Sequence, residues 1–295
     1  MSLLVSGIGF GIISGAILSM SSIGFTLQFG MTNVLNLAYG TVMTIAALIT
    51  YVVNISGYSI FVAAFIGVVF AMIATLAVGW GVLQPFAHKG LPLFAMAMVS
   101  VGVSLIGDYL VASITHSEIY QFQFPAGQTY RFSGLTFTTT DLVIIAISII
   151  SVAAIELALH RTRLGVAIRA TSASASLARA CGIPTRKVVN ATWLISGLFC
   201  GLGGVTLAMS YQSVTYTMGT AYLPYILAVV IVAGIGSVGY AALISLVLSV
   251  VIQVAGVFGA SSYNVVIALA VLLAMLLIRP KGLFGELFEK TEVAI

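Results

Sequence analysis

Charge is the scarcest property of this chain. Only 6% of its 295 residues are Asp, Glu, Lys or Arg, and 61% are hydrophobic. Soluble domains carry about 25% charged residues. The shortage, with a mean hydropathy of +1.20, excludes a soluble globular fold and implies an integral membrane protein. Cysteine is also scarce. The two thiols, Cys181 and Cys200, cannot form a disulfide framework. The three histidines, His88, His116 and His160, lie far apart, so no metal-ligand spacing exists. No lysine follows a glycine: Lys89, Lys187, Lys281 and Lys290 follow His88, Arg186, Pro280 and Glu289. A phosphate-cradling loop needs that dipeptide, so no ATPase site of its own is expected. No Ser/His/Asp arrangement offers a catalytic site. The opening MSLLVSG lacks a basic segment, and no cleavable signal peptide is expected.

What is abundant is apolar sequence in long runs, roughly 7–28, 32–53, 59–83, 92–115, 141–159, 188–209, 221–237, 240–258 and 262–278. A bilayer span needs about 20 such residues. Barrel strands would alternate over shorter segments. The expectation is an all-α polytopic bundle of eight to ten transmembrane helices forming a single permease domain over 1–295. The run 221–237 is short and ends in glycine, which predicts a break.

Basic residues orient the spans. Lys89, then Arg161, Arg163, Arg169, Arg179, Arg186 and Lys187, then Arg279, Lys281 and Lys290 fall on one side if the spans alternate. Short basic loops mark the cytoplasmic side. The net charge of +4 therefore reflects topology and not nucleic-acid binding. The remaining cation, Arg131, sits in the loop 116–140, which then faces outward. Aromatics alternate there in two runs, Tyr120 to Phe124 and Tyr130 to Phe137, around Pro125-Ala-Gly127. They read as a hairpin on the outer surface.

The segment 161–187, RTRLGVAIRATSASASLARACGIPTRK, is basic, free of acids and rich in Ala and Ser. Thr162 is a candidate helix cap, a break is expected near Thr171-Ser172, and Gly182 followed by Pro184 is a stop signal. The segment is longer than the two to eight residues usual between packed helices. Its small side chains would let another surface approach, so it reads as a docking element.

Acids within the spans are few. Asp108 lies two-thirds through 92–115, as a structural hydrogen-bonder or a pathway residue. Glu156 is expected to pair with Arg161 or Arg163. Gly234-Ile-Gly236-Ser-Val-Gly239 fits a dinucleotide fingerprint in letters only, because membrane helices flank it and no acid follows before Glu286. Polar or small residues Asn33, Asn36, Tyr39 and Gly40 at one span start, and Gly234, Gly236, Ser237 and Gly239 at another, form a pair of interrupted segments. Such pairs point to a transport path. Gly40-Thr-Val-Met-Thr-Ile-Ala-Ala faintly matches Gly239-Tyr-Ala-Ala-Leu-Ile-Ser-Leu, which hints at an internal repeat. Gly7, Gly11 and Gly15, like Gly197 and Gly201, are spaced for close helix packing.

Six blocks in order resemble the membrane-spanning permease subunits of ABC importers for branched-chain amino acids. They are GMTNVLNLAYGTVMTIAAL, QPFAHKGLPLFAMAMVSVGVSLI, FQFPAGQTYRFSGLTFTTTDL, the segment 161–187 with its closing Ala-x-x-x-Gly-Ile, AGIGSVGYAALISLVL and IRPKGLFGE. Tyr39 stands where the family usually has His, and Ser174–Ser176 lack an acid often found there. The resemblance implies a permease that binds no cofactor itself. ATP and Mg would sit on cytoplasmic ABC ATPase partners. A second permease, identical or paralogous, and an external solute-binding protein would complete the assembly in the lipid bilayer. It also implies that 161–187 is the coupling segment, with Arg161, Arg163, Arg169, Arg179, Gly182, Ile183 and Pro184 toward the ATPase. Members of the wider family move urea, sugars or nucleosides. The rival reading is a stand-alone ion-coupled carrier using Asp108. A non-transporting scaffold fits the glycine-broken spans poorly.

Overall fold

A backbone in hydrocarbon must satisfy its own hydrogen bonds, and apolar runs of this length do so as helices. The computed structural model describes residues 2–122, 127–132, 135–234, 236–257, 263–279 and 282–283. Helix α1 spans Ser2–Thr32, α2 Tyr39–Ile55 and α3 Ile60–Val78. A π-helical turn, Gly79–Leu83, joins α3 to α4, Gln84–His88. Then come α5 Leu93–Thr115, α6 Thr139–Arg161, α7 Arg163–Ala173, α8 Ala175–Ala180, α9 Thr185–Tyr211, α10 Met218–Ala233, α11 Val238–Ala255 and α12 Asn264–Ile278. Short strands are β1 Tyr120–Gln121, β2 Thr129–Phe132, β3 Leu135–Thr138 and β4 Ser213–Val214.

Every expected apolar run carries a helix. Among the described residues six helical stretches are long and apolar enough to cross a membrane: Leu4–Thr32, Ile60–Ala87, Leu93–Thr115, Thr139–Arg161, Thr185–Tyr211 and Val238–Ala255. Three more apolar helices, α2, α10 and α12, are shorter. At about 1.5 Å per residue the 17 residues of α2 extend about 25 Å. The protein is a polytopic all-α membrane protein.

The chain forms two compact units. One holds 1–26, 125–153 and 224–295; the other holds 27–124 and 154–223. In the first, glycines let α1 approach α11. A Cβ on Gly11 would lie 2.7 Å from Val250 Cα, and one on Gly15 would lie 3.0 Å from Leu246 Cα. Hydroxyls add links between the helices: Ser19 Oγ and Ser148 Oγ are 2.9 Å apart, and Gln253 Nε2 donates to Ser14 Oγ at 2.8 Å. In the second unit, α2, α3 and α9 pack by the same means. Cβ atoms on Gly197 and Gly201 would come 2.7 Å from Met72 Cα and 2.8 Å from Val68 Cα. The packing role expected of these spaced glycines holds.

The loop before α6 differs from expectation. The hairpin forms between β2 and β3, in antiparallel register from Thr129 opposite Thr138 to Phe132 opposite Leu135. Both paired strands lie after Gly127, so the pair is not the one expected between the runs Tyr120 to Phe124 and Tyr130 to Phe137. Strand β1 pairs with β4, Tyr120 opposite Val214, because Tyr120 and Phe122 find an aromatic partner in Tyr51, at centroid distances of 5.0 and 5.6 Å. Phe124, Pro125, Lys281, Glu286 and Lys290 lie outside the described residues.

Candidate functional site

The segment 161–187 folds as its sequence predicts, in two short helices. Thr162 caps α7, its Oγ1 accepting from the Gly165 amide at 3.1 Å. The break falls at Ser174, two to three residues later than expected, because Ser174 itself caps α8 through the Leu177 amide at 3.3 Å. At the end of α8, Gly182 has φ of +82°. Its amide donates to Arg179 O and the Ile183 amide to Ala178 O, both at 3.0 Å. This crossed pair satisfies the last carbonyls of α8 and needs a left-handed residue at position 182. Pro184 then precedes α9. Arg161, Arg163, Arg169, Arg179, Gly182 and Pro184 are exposed, and Ile183 is half-buried. Leu177, at 65% exposure, and Val166, at 54%, stand among these cations as uncovered apolar side chains. Glu156 does not meet Arg161 or Arg163. It faces His160 at 3.6 Å, one helical turn on and so on the same face of α6.

The two sets of interrupted-span residues fall in different units. In the set 33–40, Asn33 ends α1 in the left-handed region, φ 49°, its amide donating to Phe29 O at 2.8 Å. Asparagine tolerates that conformation. Asn36 and Tyr39 are buried, at 1% and 0% exposure. Asn36 Nδ2 donates to Gln28 Oε1 at 3.4 Å, which also accepts from Ser196 Oγ at 3.1 Å. Gly40 is buried against the Gly219–Thr220 backbone. In the other set, Gly234 and Gly236 have φ of +94° and +90°. Ser237 is buried and bonds Gly234 O at 2.6 Å, and Gly239 is half-buried. Leu283 N donates to Val232 O at 2.9 Å, which ties the segment after α12 to the end of α10. Gly40 and Gly239, matched in the faint repeat, are each the second residue of a helix that follows a break.

A polar stripe on α5 was not foreseen as a unit. Ser100, Ser104 and Asp108 are four residues apart and share one face. Ser100 meets the non-helical stretch before α2, and Ser104 and Asp108 meet the first turn of α2. Ser100 Oγ accepts from the Leu37 amide at 3.0 Å and lies 2.9 Å from Leu35 O. Thr41 Oγ1 lies 2.9 Å from Ser104 Oγ and donates to Asp108 Oδ1 at 2.8 Å. The spacing S-x-x-x-S-x-x-x-D within an apolar run was the available signal. Asp108 opens onto a pocket of about 460 Å³ whose polar walls include Ser104, Thr217 and Thr220. Leu37, Val101 and Leu223 supply apolar surface. The pocket lies wholly within the unit 27–124 and 154–223.

The family described as "Branched-chain amino acid transport system / permease component" matches residues 7–276. The chain belongs to that family. The permease is similar over 94% of its length to the high-affinity branched-chain amino acid transport system permease protein LivH of Escherichia coli (strain K12). The two are 23% identical over 293 residues, and the match covers 94% of LivH. The corresponding protein BraD of Pseudomonas aeruginosa is 22% identical over 292 residues, covering 94% of each chain. The galactofuranose transporter permease protein YtfT of Escherichia coli (strain K12) is 26% identical over 218 residues, 73% of this permease and 61% of YtfT.

Proposed function

We propose that this permease is the membrane-spanning subunit of an ATP-driven ABC importer that moves branched-chain or other hydrophobic amino acids across the cytoplasmic membrane. The chain acts as a single permease domain with no ATPase site of its own. ATP and Mg bind to cytoplasmic ABC ATPase partners, a second permease subunit completes the path, and an external binding protein delivers solute. The lipid bilayer surrounds it, and nucleic acid has no part. The segment 161–187 and the C-terminus face the cytoplasm, where ten of the eleven Lys and Arg residues then lie.

The observation that carries this reading is the exposed pair α7–α8. It is a cationic, small-residue surface with bare Leu177 and Val166, held at a fixed angle by the Gly182 turn. A surface of that kind suits insertion into a groove on a partner. Arg161, Arg163, Arg169 and Arg179 would meet the ATPase, and Gly182, Ile183 and Pro184 would set the angle. ATP binding would shift α7–α8 and switch access to a path that includes Asn33, Asn36, Tyr39, Gly40, Gly234, Gly236, Ser237 and Gly239. The work comes from different contacts in the two states.

A gentle-detergent pull-down of the tagged permease from its own membrane tests this. Co-purification of an ATPase and a second permease is the expected result. A chain that emerges alone and carries out gradient-driven uptake refutes the reading. Within the complex, Gly182→Ala places a Cβ in the left-handed region at a cost of about 1–2 kcal/mol. It and Arg179→Ala should hydrolyse ATP without matching uptake; normal coupling in both would remove the assignment of 161–187. A second reading, a sugar as the solute, is favoured by the similarity to the galactofuranose permease. The solute held by the co-encoded binding protein decides between them.

A further inference from the structure

We infer that the pocket beside Asp108 is a subsite for the α-ammonium group of a transported amino acid. Asp108 lies seven residues from the end of α5, about 10 Å inside it. A carboxylate in a membrane helix is costly unless it faces water, protein or an opposite charge. Here no opposite charge is present: among the described residues no basic side chain lies within ion-pair distance of Asp108. Thr41 occupies Oδ1, and Thr220 lies beside the carboxylate. Hydroxyl hydrogens from Thr41 and Thr220 could be accepted equally well by the oxygen of a neutral side chain, so hydrogen bonding does not by itself call for the charge. A cation entering the pocket does.

The form of that cation follows from the walls. A hard metal ion takes six or more oxygen ligands when it is calcium and near-octahedral ligation when it is magnesium. Asp108 is a lone acid, and among the described residues no cluster of His, Cys, Asp or Glu could hold a metal. A primary ammonium needs only a carboxylate and one or two neutral acceptors, and Asp108 with the Thr217 and Thr220 hydroxyls supplies them. Leu37, Val101 and Leu223 then provide apolar surface for a hydrocarbon side chain. About 460 Å³ falls within the range of small-ligand pockets.

This assignment rests on the amino-acid importer reading, and the test separates the two. The full complex carries Cys181→Ser, which leaves Cys200 buried, and Ala221→Cys, an exposed pocket position with no polar contact to lose, as a reporter. Maleimide labelling is timed with millimolar leucine, with 4-methylpentanoate (the same skeleton without the amine), and with sodium ions. ATP-dependent leucine uptake is measured in the same vesicles. Leucine alone should slow labelling at least threefold. Asp108→Asn, which keeps an oxygen for Thr41, should abolish that protection, and Asp108→Glu should restore part of it. Equal protection by both acids, protection by sodium alone, no protection, or protection unchanged in Asp108→Asn each overturn the subsite. If uptake persists in those cases, the importer reading survives. If the wild-type complex takes up no amino acid, both readings fall.

Discussion

Gly40→Ala should destabilise this permease, whereas the same change at Gly102 should not. Gly40 lies in the first turn of α2, where the chain meets the first turn of α10. A Cβ there would lie 2.7 Å from Gly219 O and 2.8 Å from both Thr220 Cα and Thr220 N. Ordinary contacts begin at 3.4 Å, so the shortfall is at least 0.6 Å (3.4 less 2.8) against all three. All three atoms are backbone, so no rotamer change relieves the overlap, and the two helix starts must part. Overpacking of this kind costs about 1–3 kcal/mol. Gly102, inside α5, has nothing within 4 Å of an added Cβ. Alanine there gains up to about 1 kcal/mol of helix propensity. The two variants should therefore differ by about 1–4 kcal/mol, roughly fivefold to a thousandfold in the folded-to-unfolded ratio. Equilibrium unfolding in mixed micelles, followed by far-ultraviolet circular dichroism, reads this difference. Equal midpoints for the two alanine variants would refute the claim that backbone contact at Gly40 joins α2 to α10.

Two further outcomes are expected. Asp141→Ala should cost about 1 kcal/mol and speed hydrogen exchange at the Thr138 amide, because Asp141 Oδ2 accepts from that amide at 2.9 Å and from Thr138 Oγ1 at 2.6 Å at the start of α6; unchanged exchange would remove the cap. A membrane-impermeant maleimide should label Cys181, which is exposed, and spare Cys200, which is buried. It should do so only in inside-out vesicles, and labelling of intact cells would invert the proposed topology.

The sequence determined what depends on composition and on neighbours along the chain. Apolar runs placed the helices, because a backbone in hydrocarbon has no other way to bond. Thr162, Gly182 and Pro184 set the start and stop of the α7–α8 segment, because caps are local and need only a few residues. Four-residue glycine spacing marked the close faces of α1 and α9. Tertiary structure decided the rest. Tyr120 pairs with Val214, 94 positions away in the chain, because Tyr51 offers both Tyr120 and Phe122 a ring to pack on. Glu156 turns to His160, since helix geometry and not charge alone selects its neighbour. Asp108 could be read from the sequence only as an isolated acid. Its setting comes from two distant segments, the chain around the start of α2 and that around the start of α10, together with Ser104 on its own helix. A pocket made by elements so far apart in sequence exists only once they pack. The acid was therefore visible beforehand, and its surroundings were not.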